Sequence, residues 1–152
     1  MDDRAVVERQ LGRAPRAFSG VARRCPYGLP AVTVQAPFDD RGKPFPTTYY
    51  VTCPHLVTAI SRVEADGGVE RWTRAAKENS ELKASLERAN EEQRRLRPEL
   101  PGGIGGTTRS GSLKCLHAHI AFALARPGYE LGERMLSELV PLWPTAGCCM
   151  QK

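Results

Sequence analysis

Leu113-Lys114-Cys115-Leu116-His117-Ala118-His119-Ile120-Ala121-Phe122-Ala123-Leu124-Ala125 is the stretch on which the fold turns. Leu113, Leu116, Ile120 and Leu124 recur at helical spacing and make the strongest apolar stripe in the chain. The spacing predicts a core helix, ended by Pro127-Gly128. The same stretch sets one thiol and two imidazoles within five residues. Cys115 and His119 are four apart and share a helix face. His117 lies about 200° around from Cys115 at 3.6 residues per turn. A helix that begins before Cys115 makes His119 its partner. If Cys115 lies in the loop before the first turn, His117 can reach as well.

Working outward, the pattern before this helix alternates between short elements and rigid corners. Val6, Val7 and Leu11 give a short helical stripe over residues 3–11, closed by Gly12. Cys25-Pro26-Tyr27-Gly28-Leu29-Pro30 is a rigid turn, with two prolines and a glycine in six residues. Residues 31–35 (AVTVQ) and 47–52 (TTYYVT) read as two strands, joined by a loop with Asp40-Arg41-Gly42 at its turn, and predict an antiparallel pair. Cys53-Pro54 then opens a helix carrying Leu56, Ile60 and Val63, ended by Gly67-Gly68. That places Cys53 at a strand-to-helix junction, where a helix N-terminus favours a thiolate. Residues 69–97 are charged and helical, with a break at Asn79-Ser80 and a thin stripe of Leu82, Leu86 and Ala89, so a mostly solvated helix or helical pair is expected.

Residues 98–112 are rich in Gly and Pro and read as a flexible connector. The phosphate-loop pattern fails there, because Ser112 stands where a lysine is needed after Gly106 and Gly111. Residues 131–140 predict a last short helix, and 141–152 an irregular tail carrying Cys148-Cys149. The whole is expected to be one α+β domain, mainly helical, with a small two-stranded antiparallel sheet.

A chain of 152 residues with 41% hydrophobic and 26% charged residues is long enough to bury a core and too apolar to be disordered. No apolar run reaches the ~20 residues of a membrane span. The start Met1-Asp2-Asp3-Arg4 lacks the pattern of a secretion signal, so a cytoplasmic protein is expected. Net charge is +5 and pI about 9.1, which permits a polyanion or protein partner at the arginine-rich N-terminus without requiring one.

Five cysteines in a reducing compartment argue against a disulfide framework. Thiolates and imidazoles together suit a soft cation, either zinc in a tetrahedron or an iron–sulfur cluster. No C-x-x-C knuckle is present, so Cys25, Cys53, Cys115, one of His117 or His119, and Cys148 or Cys149 would have to come together from distant segments. The rival chemistry is nucleophilic: Cys53 or Cys115 beside a histidine, with a carboxylate such as Glu64 to orient it. A third reading is an interaction module that works through the charged helix of residues 78–97 or the basic N-terminus.

Gln10-Leu11-Gly12-Arg13-Ala14-Pro15-Arg16, Arg24-Cys25-Pro26-Tyr27-Gly28-Leu29-Pro30, Pro44-Phe45-Pro46-Thr47-Thr48-Tyr49-Tyr50-Val51-Thr52-Cys53-Pro54, Ile60-Ser61-Arg62-Val63-Glu64 and Lys114-Cys115-Leu116-His117-Ala118 occur in this order. In this combination the chain resembles a bacterial family, domain of unknown function (DUF) 501, common in actinobacteria. The resemblance implies a small cytoplasmic protein and no established activity. It carries the family's motif onto Cys25, Cys53, Cys115 and His117, and favours His117 over His119. It implies that Arg13, Arg16, Arg62 and Glu64 form either a binding surface or an Arg–Glu brace. The leading expectation is a metal ion, or an iron–sulfur cluster, held by Cys25, Cys53, Cys115 and His117, with His119, Cys148 and Cys149 as lesser candidates.

Overall fold

The computed structural model describes residues 2–150. The expected tail therefore ends two residues short, with residues 151–152 outside the description. The elements run α1 (Asp3–Leu11), β1 (Phe18–Arg24), β2 (Pro30–Gln35), β3 (Tyr49–Val51), α2 (Pro54–Ala65), α3 (Gly68–Glu78), α4 (Ser80–Leu96), α5 (Leu116–Ala125) and α6 (Glu130–Leu136). The class is α+β and mainly helical. No helix among the described residues is long and apolar enough to cross a membrane.

The sheet has three strands in the order β1-β2-β3, all antiparallel, rather than the two expected. The extra strand, β1, reads Phe-Ser-Gly-Val-Ala-Arg-Arg and carries neither a clean alternation nor a buried face. Its register against β2 slips three times. It is a strand because its backbone pairs with β2, which side-chain periodicity does not report. The Cys25-Pro26-Tyr27-Gly28 turn joins the two, with the Cys25 N–H donating to the Leu29 carbonyl at 2.9 Å and Gly28 at φ +85°.

Local chemistry sets the helix ends. The Asp2 carboxylate accepts from the Ala5 N–H at 2.8 Å and starts α1. Asn79 accepts from the Glu81 and Leu82 N–H groups and divides α3 from α4 at the expected place. Helix α5 starts at Leu116, later than its stripe implied. Leu113 is buried but lies in a turn, where the Cys115 N–H donates back to the Leu113 carbonyl at 2.7 Å. Lys114 in that turn sits at φ +66°, a conformation costly for a side-chain-bearing residue. The last helix is α6, shorter than residues 131–140. Single turns carry the chain on to buried Leu139.

Helix α5 is the centre of the core. Phe122 meets Tyr49 of β3 edge-on at 5.7 Å and Tyr129 at 5.8 Å. Helix α4 is more deeply seated than its thin stripe implied. It buries Leu82, Ser85, Leu86, Ala89, Asn90 and Gln93. The polar members are admitted because each has a partner. Ser85 Oγ accepts from the Leu131 N–H at 3.1 Å, and Gln93 donates to Thr48 Oγ1 at 2.6 Å. Asn90 Oδ1 accepts from the Ile104 N–H at 2.9 Å. That bond also ties the connector to α4. Residues 102–106 are packed onto α4 with Ile104 buried, and a Cβ at Gly103 would collide with Asn90 Oδ1.

Candidate functional site

The sheet, α1, α2 and the start of α5 enclose a pocket of about 540 Å³. Gln10 and Arg13 come from the α1 end, and Tyr49 and Tyr50 from β3. Thr52 and Pro54 come from the strand-to-helix junction, and Cys115 and His117 from the start of α5. The wall is mainly apolar with a few polar groups, the composition of a small-molecule site. Gln10 donates to the Pro30 carbonyl at 2.7 Å, but its Oε1 is buried without a partner, as is Thr52 Oγ1. Two of the three such orphaned atoms among the described residues thus belong to the pocket wall. Unpaired buried polar atoms are costly.

His117 stands at the pocket with Glu64 of α2 behind it. Its Nδ1 lies 3.1 Å from Glu64 Oε1, and its Nε2 lies 3.5 Å from Ser61 Oγ. The other Glu64 oxygen accepts the Leu116 N–H at 2.7 Å. One carboxylate therefore caps α5 and orients the imidazole that α5 carries. His117 is 30% exposed and Glu64 24%, so the pair is screened from bulk water without being sealed from a ligand. Ser61 and Glu64 are three apart on α2 and share a face, which is how both reach one ring. The sequence alone offers Glu64 as the orienting carboxylate and gives Ser61 no role. The signal available was that i, i+3 spacing.

His119 has a different place. It is fully buried, its Nε2–H donates to the Leu113 carbonyl at 2.9 Å, and its Nδ1 accepts from the Tyr129 hydroxyl at 2.7 Å. Both ring nitrogens are spent inside the core, so no lone pair is left for a metal. Burial holds its pKa down to about 4.

The cysteines divide between two places. Cys115 is half-buried in the pocket wall. Cys25 and Cys53 lie at the two Cys-Pro corners, and the tail thiols come to them. Cys53 Sγ is 4.0 Å from Cys149 Sγ, and the Cys148 thiol is pushed up by burial and by Cys25 and Cys149 nearby. As they stand, no three His, Cys, Asp or Glu groups among the described residues could hold a metal ion. Cys53 does occupy the N-cap position of α2. Yet burial, with Cys149 adding to it, pushes its thiol up to about 11 and outweighs the helix amides that favour the thiolate. His55, two residues on, turns to the Pro141 carbonyl at 3.2 Å.

The arginines also separate. Arg13 lines the pocket. Arg16 pairs with Asp39 at 2.7 Å, donates to the Pro44 carbonyl at 3.0 Å and lies over the Phe45 ring, so it braces the loop between β2 and β3. Arg62 is exposed. The Arg–Glu brace does not form through Glu64, whose partners are His117 and the Leu116 N–H.

No curated protein and no solved structure matches the chain. A family model described as "Protein of unknown function (DUF501)" matches residues 21–102. The match takes in both Cys-Pro corners, Ser61 and Glu64, and stops short of α5 and the tail. More than half of the sequence lies within it, and the chain belongs to the DUF501 family of proteins of unknown function.

Proposed function

We propose that the chain is an enzyme that binds a small molecule in the pocket beside β3 and uses His117 as its general base. The observation that carries this is the contact of His117 Nδ1 with Glu64 Oε1 at 3.1 Å, with Nε2 turned to Ser61. A carboxylate at Nδ1 fixes the tautomer that leaves Nε2 free to take a proton, and it stabilises the imidazolium that results. Ser61 Oγ at 3.5 Å is the nucleophile this order favours, at a distance usual before substrate tightens the site. The reaction class is acyl transfer: the Ser61 proton passes to His117, the oxygen joins the acyl carbon, the leaving group departs with that proton, and water, giving a proton to His117, then takes the acyl group from Ser61, which recovers its proton. Arg13 supplies a cation for an anionic substituent, and Tyr49 and Tyr50 a wall for an apolar body.

A second reading keeps the pocket and the base and makes Cys115 the nucleophile. It is favoured by the position of Cys115 at the N-cap of α5, in the pocket wall beside His117. Cys53, buried and with a raised pKa, is not suited to that role.

Labelling with a fluorophosphonate and with iodoacetamide tests both readings. A Ser61 adduct lost in His117→Ala and Glu64→Gln supports the first. Alkylation of Cys115 that slows at least tenfold in His117→Ala supports the second. If neither reagent labels a residue in a His117-dependent way, the enzyme reading fails.

A further inference from the structure

The thiols outside the pocket have an arrangement of their own. Cys25 and Cys53 flank the start of β2. The Cys25 N–H donates to the Leu29 carbonyl on one side and the Cys53 N–H to the Ala31 carbonyl on the other. Two strand spacings separate their backbones, roughly 10 Å, which is too far for the two thiols to meet directly. The tail fills that gap with two adjacent thiols. Cys149 meets Cys53 at 4.0 Å, and Cys148 lies near Cys25.

The tail is laid there by contacts that do not involve sulfur. The Tyr27 hydroxyl donates to the Pro144 carbonyl, and the His55 ring meets the Pro141 carbonyl at 3.2 Å. Tyr27 and His55 stand two residues after Cys25 and Cys53 respectively, so each Cys-Pro corner grips the tail beside its own thiol.

We propose that Cys25, Cys53, Cys148 and Cys149 form a four-thiolate zinc site that fastens the tail across the two Cys-Pro corners. Tetrahedral zinc with bonds of about 2.3 Å sets its sulfurs roughly 3.8 Å apart. The Cys53–Cys149 separation of 4.0 Å is already close to one edge of that tetrahedron. The Cys25–Cys148 pair forms the opposite edge. The pairs have yet to converge on one point, and the ion completes the site by drawing them together, releasing the thiol protons as it binds. Three of the four thiols are buried. This is the setting of a closed, structural site rather than one with an open position. It uses neither Cys115 nor His117, so it stands or falls separately from the enzyme reading.

The test uses the full chain, purified reduced and without metal, then given one equivalent of zinc and desalted. About one zinc per chain is expected, with four of the five thiols shielded from alkylation and Cys115 left reactive. Cys115→Ser should retain the zinc, and the double variant Cys148→Ser, Cys149→Ser should retain less than a tenth of it. Cobalt(II) bound to the unaltered chain should show the intense thiolate charge-transfer and tetrahedral bands of an all-sulfur site, a readout that needs no variant to fold. Zinc retained at under a tenth per chain would overturn the proposal. So would loss of zinc in Cys115→Ser, a Cys53–Cys149 disulfide in chain kept anaerobic, or iron with sulfide in its place.

Discussion

Two faces of α5 carry a histidine each, two residues apart, and the surroundings give them opposite chemistry. On the inner face, His119 is closed in with Leu113 and Tyr129, with both ring nitrogens bonded and the neutral form favoured by burial. On the outer face, His117 has a carboxylate at one nitrogen, a hydroxyl near the other and a pocket beside it. A half-turn of helix separates a residue used as core from one available for proton transfer. His119 spends both ring nitrogens inside the core, whereas the wall of the pocket beside His117 includes Gln10 and Thr52, whose Oε1 and Oγ1 have no partners.

The contrast can be broken from the inside first. Phe122 is buried and contacts two rings, so Phe122→Ala should cost ~3–5 kcal/mol in urea denaturation. A loss below ~1 kcal/mol would mean α5 is not the centre of the core. Next is pH. His119 takes up a proton near pH 6.5 when unfolded but resists until about 4 when folded. Its contribution is present in full above pH 6.5 and is lost as pH falls from there to 4, about 3 kcal/mol in all. His119→Leu should remove most of that slope and cost ~2 kcal/mol at pH 7, because the Tyr129 hydroxyl and the Leu113 carbonyl lose their partner. An unchanged slope would place the titration elsewhere.

The outer face should respond differently. Glu64→Ala removes the acceptor of the Leu116 N–H and should cost ~1 kcal/mol, an ordinary capping loss. His117→Ala, at a half-exposed position, should change stability by less than ~0.5 kcal/mol while abolishing His117-dependent labelling. If His117→Ala proved as costly as His119→Leu, the two faces would not differ in kind.

Much of the local architecture was legible. Gly12, Asn79 and Gly67 mark helix ends because caps act within one turn, and the end of α1 and the α3–α4 break fall where those residues put them. Strand β2 was legible from its β-branched alternation. Strand β1 was not, because its only strong reason to be extended is the backbone of β2. Likewise α4 looked too polar to be seated deeply, since a stripe of leucines says nothing of Thr48, Ile104 and Leu131, the partners that satisfy its buried Ser, Asn and Gln.

The candidate site was legible in parts and illegible as a whole. The residues with chemical capacity could be named: Cys25, Cys53, Glu64, Cys115, His117, Cys148 and Cys149. Their grouping could not. Pairing Cys115 with the corner thiols was reasonable on residue type, but the fold sets Cys115 in the pocket and brings the tail to the corners.

By itself, then, the sequence determined where helices stop, which faces are apolar and which side chains can donate, accept or ligate. Those properties depend on neighbours within four or five residues. Only the tertiary structure decided that Glu64 meets His117 across 53 residues, that His119 turns inward, and that Cys149 reaches Cys53 across 96. Each of these is set by how α2, α5 and the tail pack on one sheet. The energy that fixes them is the burial of the whole core and not the preference of any one segment.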